Sequence, residues 1–422
     1  MNDVRPVRAA KVARSPAPRL EPSVRRRRVL YLSGFDPRGP SFYHKTYREE
    51  AERHCALSGA PIAVGARRSL GPLIQSWTVT AAIDGHPVET RYDFLRWDDI
   101  IRDHWPRRQS SVWADTLWAF WVFLRTGALR TIFRATWPVL ITVSLPAVFI
   151  LLQLLLALTA GWGLAALAGA FGAPWFLALP AGFAAAAGII FLGRWLEGRL
   201  NVYWLGRIYA FTVRDARGEV AGLEERRNAF ARTVVEAVAA GDADEILLVG
   251  HSLGTPLAVS VMARALAIDP ELARRGPRLA VLTLGPTTPI LSLMPEAGWF
   301  RDELRTLAAA DVPWIDFSAP PDGACFALVD PVRIFDPAFR RTEGGPAWPK
   351  LLNVRMMDVV DRATYDRARR DWARMHFQYL MAGDRLAEYD YFMITAGAVP
   401  LQERFAHRAG VKDYAGLRPF RT

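Results

Sequence analysis

Gly250-His251-Ser252-Leu253-Gly254 is the stretch of this 422-residue chain whose residue types and spacing most directly imply chemistry. The apolar run Ile246-Leu247-Leu248-Val249 precedes it, and Thr255-Pro256 with a string of small apolar residues follows. That order predicts a strand, a very tight turn and a helix. In such a turn the flanking positions have no room for side chains, hence the glycines. The serine hydroxyl is pushed out above the sheet, where a base can reach it. The next amide, the Leu253 N–H, points from a helix N-terminus toward an oxygen that becomes negative. The chemistry implied is nucleophilic attack by serine on a carbonyl. The histidines and cysteines show no C-x-x-C or H-E-x-x-H spacing, so neither a metal nor another cofactor is expected.

The elements that must position this serine read as strands alternating with helices. Residues 28–32 form a short apolar run ending at Ser33-Gly34, followed by the turn-rich Asp36-Pro37-Arg38-Gly39-Pro40. A helix is predicted over 43–57. Strands over 75–83 and 88–97 flank Asp84-Gly85, a hairpin signal. Further on, a helix is predicted over 223–240, a strand over 245–249, a helix over 256–268, and strands over 279–284, 312–317 and 351–356. The alternation predicts an α/β fold with a mostly parallel sheet covered by helices on both faces.

With the turn and its flanks in place, the chain resembles the α/β-hydrolase superfamily, in particular its serine esterases and lipases. The resemblance spans roughly residues 29–110 and 205–400. It implies a triad in the chain order serine, acid, histidine. The elbow residues Gly250, Ser252, Leu253 and Gly254 carry it. The acid is expected past a later strand: Asp322, in the Pro/Gly loop after residues 312–317, is the first choice, and Asp316, inside that strand, the second. Only His376 and His407 follow Asp322. His376, among apolar and aromatic neighbours, is preferred as the base. The sequence departs from the family pattern here, because residues 367–381 read equally well as helix rather than as a loop after the last strand. His251 is a common occupant of its elbow position in lipases and is not expected to be the base. The resemblance also implies a second oxyanion donor in the loop after an early strand, assigned to the Phe35 N–H with Gly34 allowing close approach. Arg38 reads either as a binder of an anionic substrate group or as the partner of Asp36, and His44 as structural.

Between Arg134 and Arg194 lie 59 residues without a charge. About 20 apolar residues cross a bilayer, so this stretch predicts a two-span hairpin: about 138–160, with Pro146 a kink site, and about 174–193, rich in Ala and Gly and suited to close packing. Residues 161–173 form the link, either a plain turn or a re-entrant segment. Arg125, Arg130 and Arg134 precede the hairpin, Arg194, Arg199 and Arg207 follow it, and the link has no charge. The positive-inside rule then places both chain ends on the cytoplasmic side. The chemistry argues independently for an even number of crossings, since Phe35 precedes the insert while Ser252, Asp322 and His376 follow it and must share its side. Ten of the fifteen tryptophans lie between positions 97 and 204, as expected at a membrane edge. Residues 111–134 read as one helix carrying Trp113, Leu117, Phe120, Trp121 and Leu124 on one side, either along the headgroups or packed on the next domain.

The net charge of +11 is uneven. Residues 1–28 hold nine basic residues against Asp3 and Glu21 and read as a disordered basic tail, either drawn to anionic headgroups or simply solvated. It lacks the apolar segment of a secretory signal. No aromatic-basic platform or motif accompanies the charge, so nucleic acid is not an expected partner. Two cysteines, Cys55 and Cys325, exclude a disulfide scaffold and fit a reducing compartment. Only four of 53 basic residues are lysine, as in a GC-rich coding sequence. The expected organisation is a tail (1–28), a first hydrolase segment (29–110), an interfacial helix with the hairpin (111–204) and a second hydrolase segment (205–422). The expected protein is a serine hydrolase of a bacterial cytoplasmic membrane, in contact with the lipid bilayer and acting on an ester of a lipid or another apolar acyl substrate. A thioesterase or acyltransferase would look the same. The competing expectation is a non-catalytic binding or assembly protein on the same scaffold. Oligomeric state is not legible.

Overall fold

The computed structural model describes residues 21–83, 85–339 and 348–411. Its centre is a mixed sheet of nine strands: β1 (Arg26–Leu32), β2 (Ile62–Val64), β3 (Arg68–Ser69), β4 (Ile74–Ile83), β5 (His86–Leu95), β6 (Glu245–His251), β7 (Arg278–Leu284), β8 (Trp314–Ser318) and β9 (Lys350–Asn353). The strand order is β2-β4-β5-β1-β6-β7-β8-β9, with β3 beside β4. β1, β5, β6, β7, β8 and β9 run parallel, while β2, β3 and β4 run antiparallel at one edge. The β4–β5 hairpin closes with Ile83 opposite His86 and Gly85 at φ 77°. Asp84, the other half of that turn signal, lies outside the described residues. Every residue of β6 is buried, as is β1 from Arg27 onward. Unbroken burial means that both faces of these central strands are covered, which explains why they read as apolar runs rather than as alternating patterns.

The basic tail ends earlier than its charge suggests. Its residues 1–20 lie outside the described residues. Ser23 and Val24 donate to the Ala398 carbonyl at 2.9 Å, and Arg26–Arg28 open β1. Arg27 is 1% exposed and pairs with Glu245 at 2.7 Å; Arg28 pairs with Asp93 at 2.9 Å. A charge run looks solvated from sequence, but here two of its members are neutralised by carboxylates on the neighbouring strands, which keeps their burial tolerable.

The uncharged segment forms two long helices, Trp137–Ala170 and Trp175–Leu200. Each is long and apolar enough to cross a membrane. The first helix does not stop near residue 160. Ala and Leu continue it to Ala170, so only residues 171–174 link the arms, and a re-entrant segment at 161–173 does not form. The helix also runs through Pro146. The arms cross closely: a Cβ on Gly182 would lie 2.5 Å from the Gly161 oxygen, and one on Gly193 would strike the Gln153 amide, which donates to the Ile190 carbonyl at 2.9 Å.

The expected single helix over 111–134 is two, Gln109–Arg125 and Ala128–Ala135, broken at Gly127 with φ 75°. The first buries Val112, Thr116, Ala119, Val122 and Phe123, and leaves Trp121 and Leu124 exposed. Its partner is a helix that sequence patterning does not reveal, Val202–Ala216, which follows the second arm across Asn201 and is mostly buried. This connector helix couples the hairpin to the sheet.

Candidate active site

Ser252 sits between β6 and the helix Gly254–Ile268 at φ 55°, a left-handed conformation that costs a residue with a Cβ of order 1 kcal/mol or more. The surroundings hold it there. Its N–H donates to the Leu284 carbonyl at 2.9 Å, and its carbonyl accepts from the Thr255 N–H at 2.9 Å and the Thr255 hydroxyl at 2.7 Å. The flanking glycines are required by contact. A Cβ on Gly250 would lie 2.5 Å from the Gly254 oxygen, and a Cβ on Gly254 would lie 2.3 Å from the Leu32 oxygen. Gly34, after β1, approaches the serine so closely that its Cβ would lie 2.8 Å from the Ser252 Cβ.

Asp322 lies in the loop after β8 and is 1% exposed. Its Oδ2 accepts from His376 Nδ1 at 2.8 Å and from the Tyr379 hydroxyl at 3.0 Å; its Oδ1 accepts from the Ala324 N–H at 3.0 Å. Burial pushes the carboxyl pKa up, but the adjacent His376 ring and the hydrogen bonds from His376, Ala324 and Cys325 outweigh it and hold Asp322 below the ordinary carboxylate range. An ionised carboxylate only accepts, so the His376 proton sits on Nδ1 and Nε2 carries a free lone pair.

His376 lies in the last turn of the short helix Trp372–Phe377, which Asp371 caps by accepting from the Arg374 N–H at 3.1 Å. The expectation of a helical setting for 367–381 holds in pieces, since Arg362–Ala368 is a separate helix and Gln378–Leu380 a 3-10 turn. The ring is 5% exposed. His251 braces it from below: its Nε2 donates to the His376 carbonyl at 3.0 Å, and the two rings lie 5.0 Å apart. Burial first, and then the neighbouring His376, bring the His251 pKa down to about 3. His251 is therefore a neutral prop.

Gly34, Phe35, Ser252 and His376 all line one pocket. No hydrogen bond joins the Ser252 hydroxyl to His376 among the described residues. The Leu253 and Phe35 N–H groups also lack an acceptor among the described residues. Phe35 is locked from its other side, its carbonyl accepting from Trp204 Nε1 at 2.8 Å and its ring packed on Trp105 and Phe211. Most of the remaining pocket wall is apolar, with Trp204, Leu205 and Ile208 from the connector helix and Trp372 and Phe377 from the histidine's helix, while Asp36, Tyr43 and Thr287 add polar groups.

The second-choice residues are elsewhere. Asp316 is buried inside β8, where Oδ2 accepts from the Thr283 hydroxyl at 2.6 Å and Oδ1 has no partner. Burial pushes it up to about 7. His407 pairs with Glu388 at 2.9 Å and is not part of the pocket. Arg38 is engaged by Asp36 through Nε and Nη2 at 2.9 and 2.6 Å, and lies over the Phe42 ring. His44 meets the Gly65 carbonyl at 2.9 Å, a structural contact.

Sequence reading missed Tyr379 and Gly285. A Cβ on Gly285, at φ 53°, would lie 2.9 Å from the Tyr379 ring and 3.0 Å from the His376 Cε1. Glycine after β7 thus makes the space that the histidine and tyrosine fill. The only available signal was the Leu284-Gly285-Pro286 strand ending. Among the described residues, no group of three or more His, Cys, Asp or Glu side chains could hold a metal ion.

Compared with known proteins, the chain matches no family model, no curated protein and no solved structure.

Proposed function

We propose that the chain is a membrane-anchored serine hydrolase of α/β-hydrolase type that cleaves an ester with an apolar acyl group. The observation that carries this reading is a histidine, backed by its hydrogen bond to the buried Asp322, lining the same pocket as a serine held in a left-handed turn. Such strain is kept where a side chain must be presented. In the mechanism, substrate binding closes the gap between Ser252 and His376, as apo geometries commonly require. His376 Nε2 takes the serine proton while Oγ bonds to the acyl carbon. Asp322 holds the ring in the right tautomer and stabilises the imidazolium. The Leu253 and Phe35 N–H groups receive the oxyanion. His376 then protonates the leaving alcohol, and water, activated by the same ring, releases the acid and restores Ser252. An acyltransferase or thioesterase uses the same steps with another acceptor or leaving group.

The anchor reading is supported by exposure. The most apolar windows of the two arms are only 39% and 17% buried within the chain, whereas a core helix of a soluble protein is mostly buried. Leu158, Phe171, Trp175 and Phe183 are each more than 70% exposed. Two spans keep Phe35 and Ser252 on one side, and the flanking arginines make that side cytoplasmic, in a bacterial inner membrane. The alternative, a binding protein on the same scaffold, draws on the missing Ser252–His376 hydrogen bond. A dissolved fluorophosphonate separates the two. In the enzyme, Oγ bonds to phosphorus as fluoride leaves and His376 takes the proton. Labelling of the purified protein that is lost in Ser252→Ala supports the hydrolase; no labelling of folded wild type overturns it.

A further inference from the structure

We infer that the pocket is loaded sideways from the bilayer, so that the substrate is a membrane-resident amphiphile and not a dissolved ester. This rests on the hydrolase reading and narrows its substrate. Three contacts carry it. The acid loop touches the first arm: the Thr142 hydroxyl donates to the Gly323 carbonyl at 2.8 Å, one residue past Asp322. The base's helix touches the second arm: Trp372 Nε1 donates to the Leu200 carbonyl at 3.0 Å, four residues before His376. The apolar wall of Trp204, Leu205 and Ile208 belongs to the helix that continues from that arm.

The depth of these contacts can be placed from the helices. Counting about 20 residues, or about 30 Å, from the link back along each arm puts the hydrocarbon edge near Leu151 and Trp195. Arg199 lies 4.0 Å over the Trp195 ring, a cation–aromatic pair suited to that boundary. Thr142 is then about 14 Å and Leu200 about 8 Å beyond the edge, at 1.5 Å per residue. The headgroup layer itself is about 5–8 Å thick. The second arm therefore puts the pocket wall within reach of a lipid raised by about its own headgroup, and the first arm by about twice that. Beyond the hydrocarbon edge the first arm keeps Trp137 and Ile141 about half exposed, and on the second arm Leu200 is about half exposed beside the exposed Arg199. Those apolar side chains and the pocket wall give acyl chains an apolar path that a dissolved ester would not need.

The test reconstitutes the full chain in vesicles of equal parts phosphatidylcholine and phosphatidylglycerol. A fluorophosphonate carried on a dialkylglycerol is placed either in the same vesicles or in separate ones at equal total amount. A dissolved ethyl fluorophosphonate serves as the reference. Lateral loading predicts that the lipid probe labels Ser252 at least about tenfold faster in the same vesicles, because confinement raises its effective concentration. The dissolved probe should label equally in both arrangements. Equal rates for the lipid probe in both arrangements, or labelling by the dissolved probe alone, would overturn the bilayer route and leave the hydrolase reading standing. Failure of both probes to label folded protein would overturn the hydrolase reading and this inference with it.

Discussion

Asp322→Asn tests the polar logic of the site most sharply, because the groups that hydrogen-bond to the carboxylate are donors. Oδ2 accepts from His376 and Tyr379, and Oδ1 accepts from the Ala324 N–H. An asparagine must put its NH2 group in one of these two places. Facing Ala324, it strands a buried N–H against another, at about 1–3 kcal/mol. Facing His376, it meets a donor that can change, since the ring can move its proton to Nε2 and accept at Nδ1. The Tyr379 hydroxyl can turn and accept as well. The second orientation therefore wins, and it leaves His376 with no lone pair for the Ser252 proton. The imidazolium also loses its counter-charge. Together these effects predict a loss of about 10³–10⁴-fold, or roughly 4–5.5 kcal/mol of barrier. The assay is the second-order rate constant of fluorophosphonate labelling near neutral pH, with the thermal midpoint from tryptophan fluorescence showing that the variant folds. A folded variant labelling within about threefold of wild type, far less than the loss expected of a triad acid, would refute the assignment of Asp322.

The other predictions address the residues around this pair, the second carboxyl and the topology. Tyr379→Phe removes one donor to Asp322 and should slow labelling about tenfold, near the 1.4 kcal/mol expected for one hydrogen bond to a charged group; an unchanged rate would make Tyr379 a packing residue only. Asp316 has a raised folded pKa of about 7, so its cost to stability is absent below about pH 4, grows as pH rises through 7 and is complete above. Wild type should therefore lose about 3 kcal/mol between pH 5 and pH 9 relative to Asp316→Asn, measured by denaturant melts, while labelling stays at wild-type rate; parallel pH profiles would contradict the burial argument. In a Cys55→Ser background, Phe171→Cys in the link should react with an impermeant maleimide from the periplasmic face of sealed vesicles, and Arg274→Cys on the sheet domain should not. Reaction of both from one face would exclude two crossings.

What could be read from sequence follows from how local each signal is. The elbow was legible because three requirements coincide within ten residues: an apolar strand, two positions without room for a Cβ, and a helix start. The two long apolar helices were legible because 59 residues without charge need no partner to interpret. The connector helix was not, since the contacts that seat it, such as Trp204 with the Phe35 carbonyl, are far away in sequence. Its role depends on Gly206, where a Cβ would strike the Thr116 hydroxyl, a contact 90 residues away in sequence. The link was misplaced because Ala and Leu favour helix as much as they favour lipid, so apolarity gave no stop. Arg27 was misread because its neutralising partner, Glu245, is brought in only by strand pairing. Tyr379 had no signal at all: a tyrosine three residues after a histidine becomes an acid's partner only once β8 delivers Asp322 to it.

The central claim is that His376 activates Ser252 as a nucleophile. Peptide mass mapping of the fluorophosphonate adduct tests it most directly, on wild type, His376→Ala and His407→Ala side by side. The adduct should fall on Ser252 alone in wild type, persist in His407→Ala and vanish in His376→Ala. An adduct on another residue, or one on Ser252 that survives in His376→Ala and disappears in His407→Ala, would contradict the account.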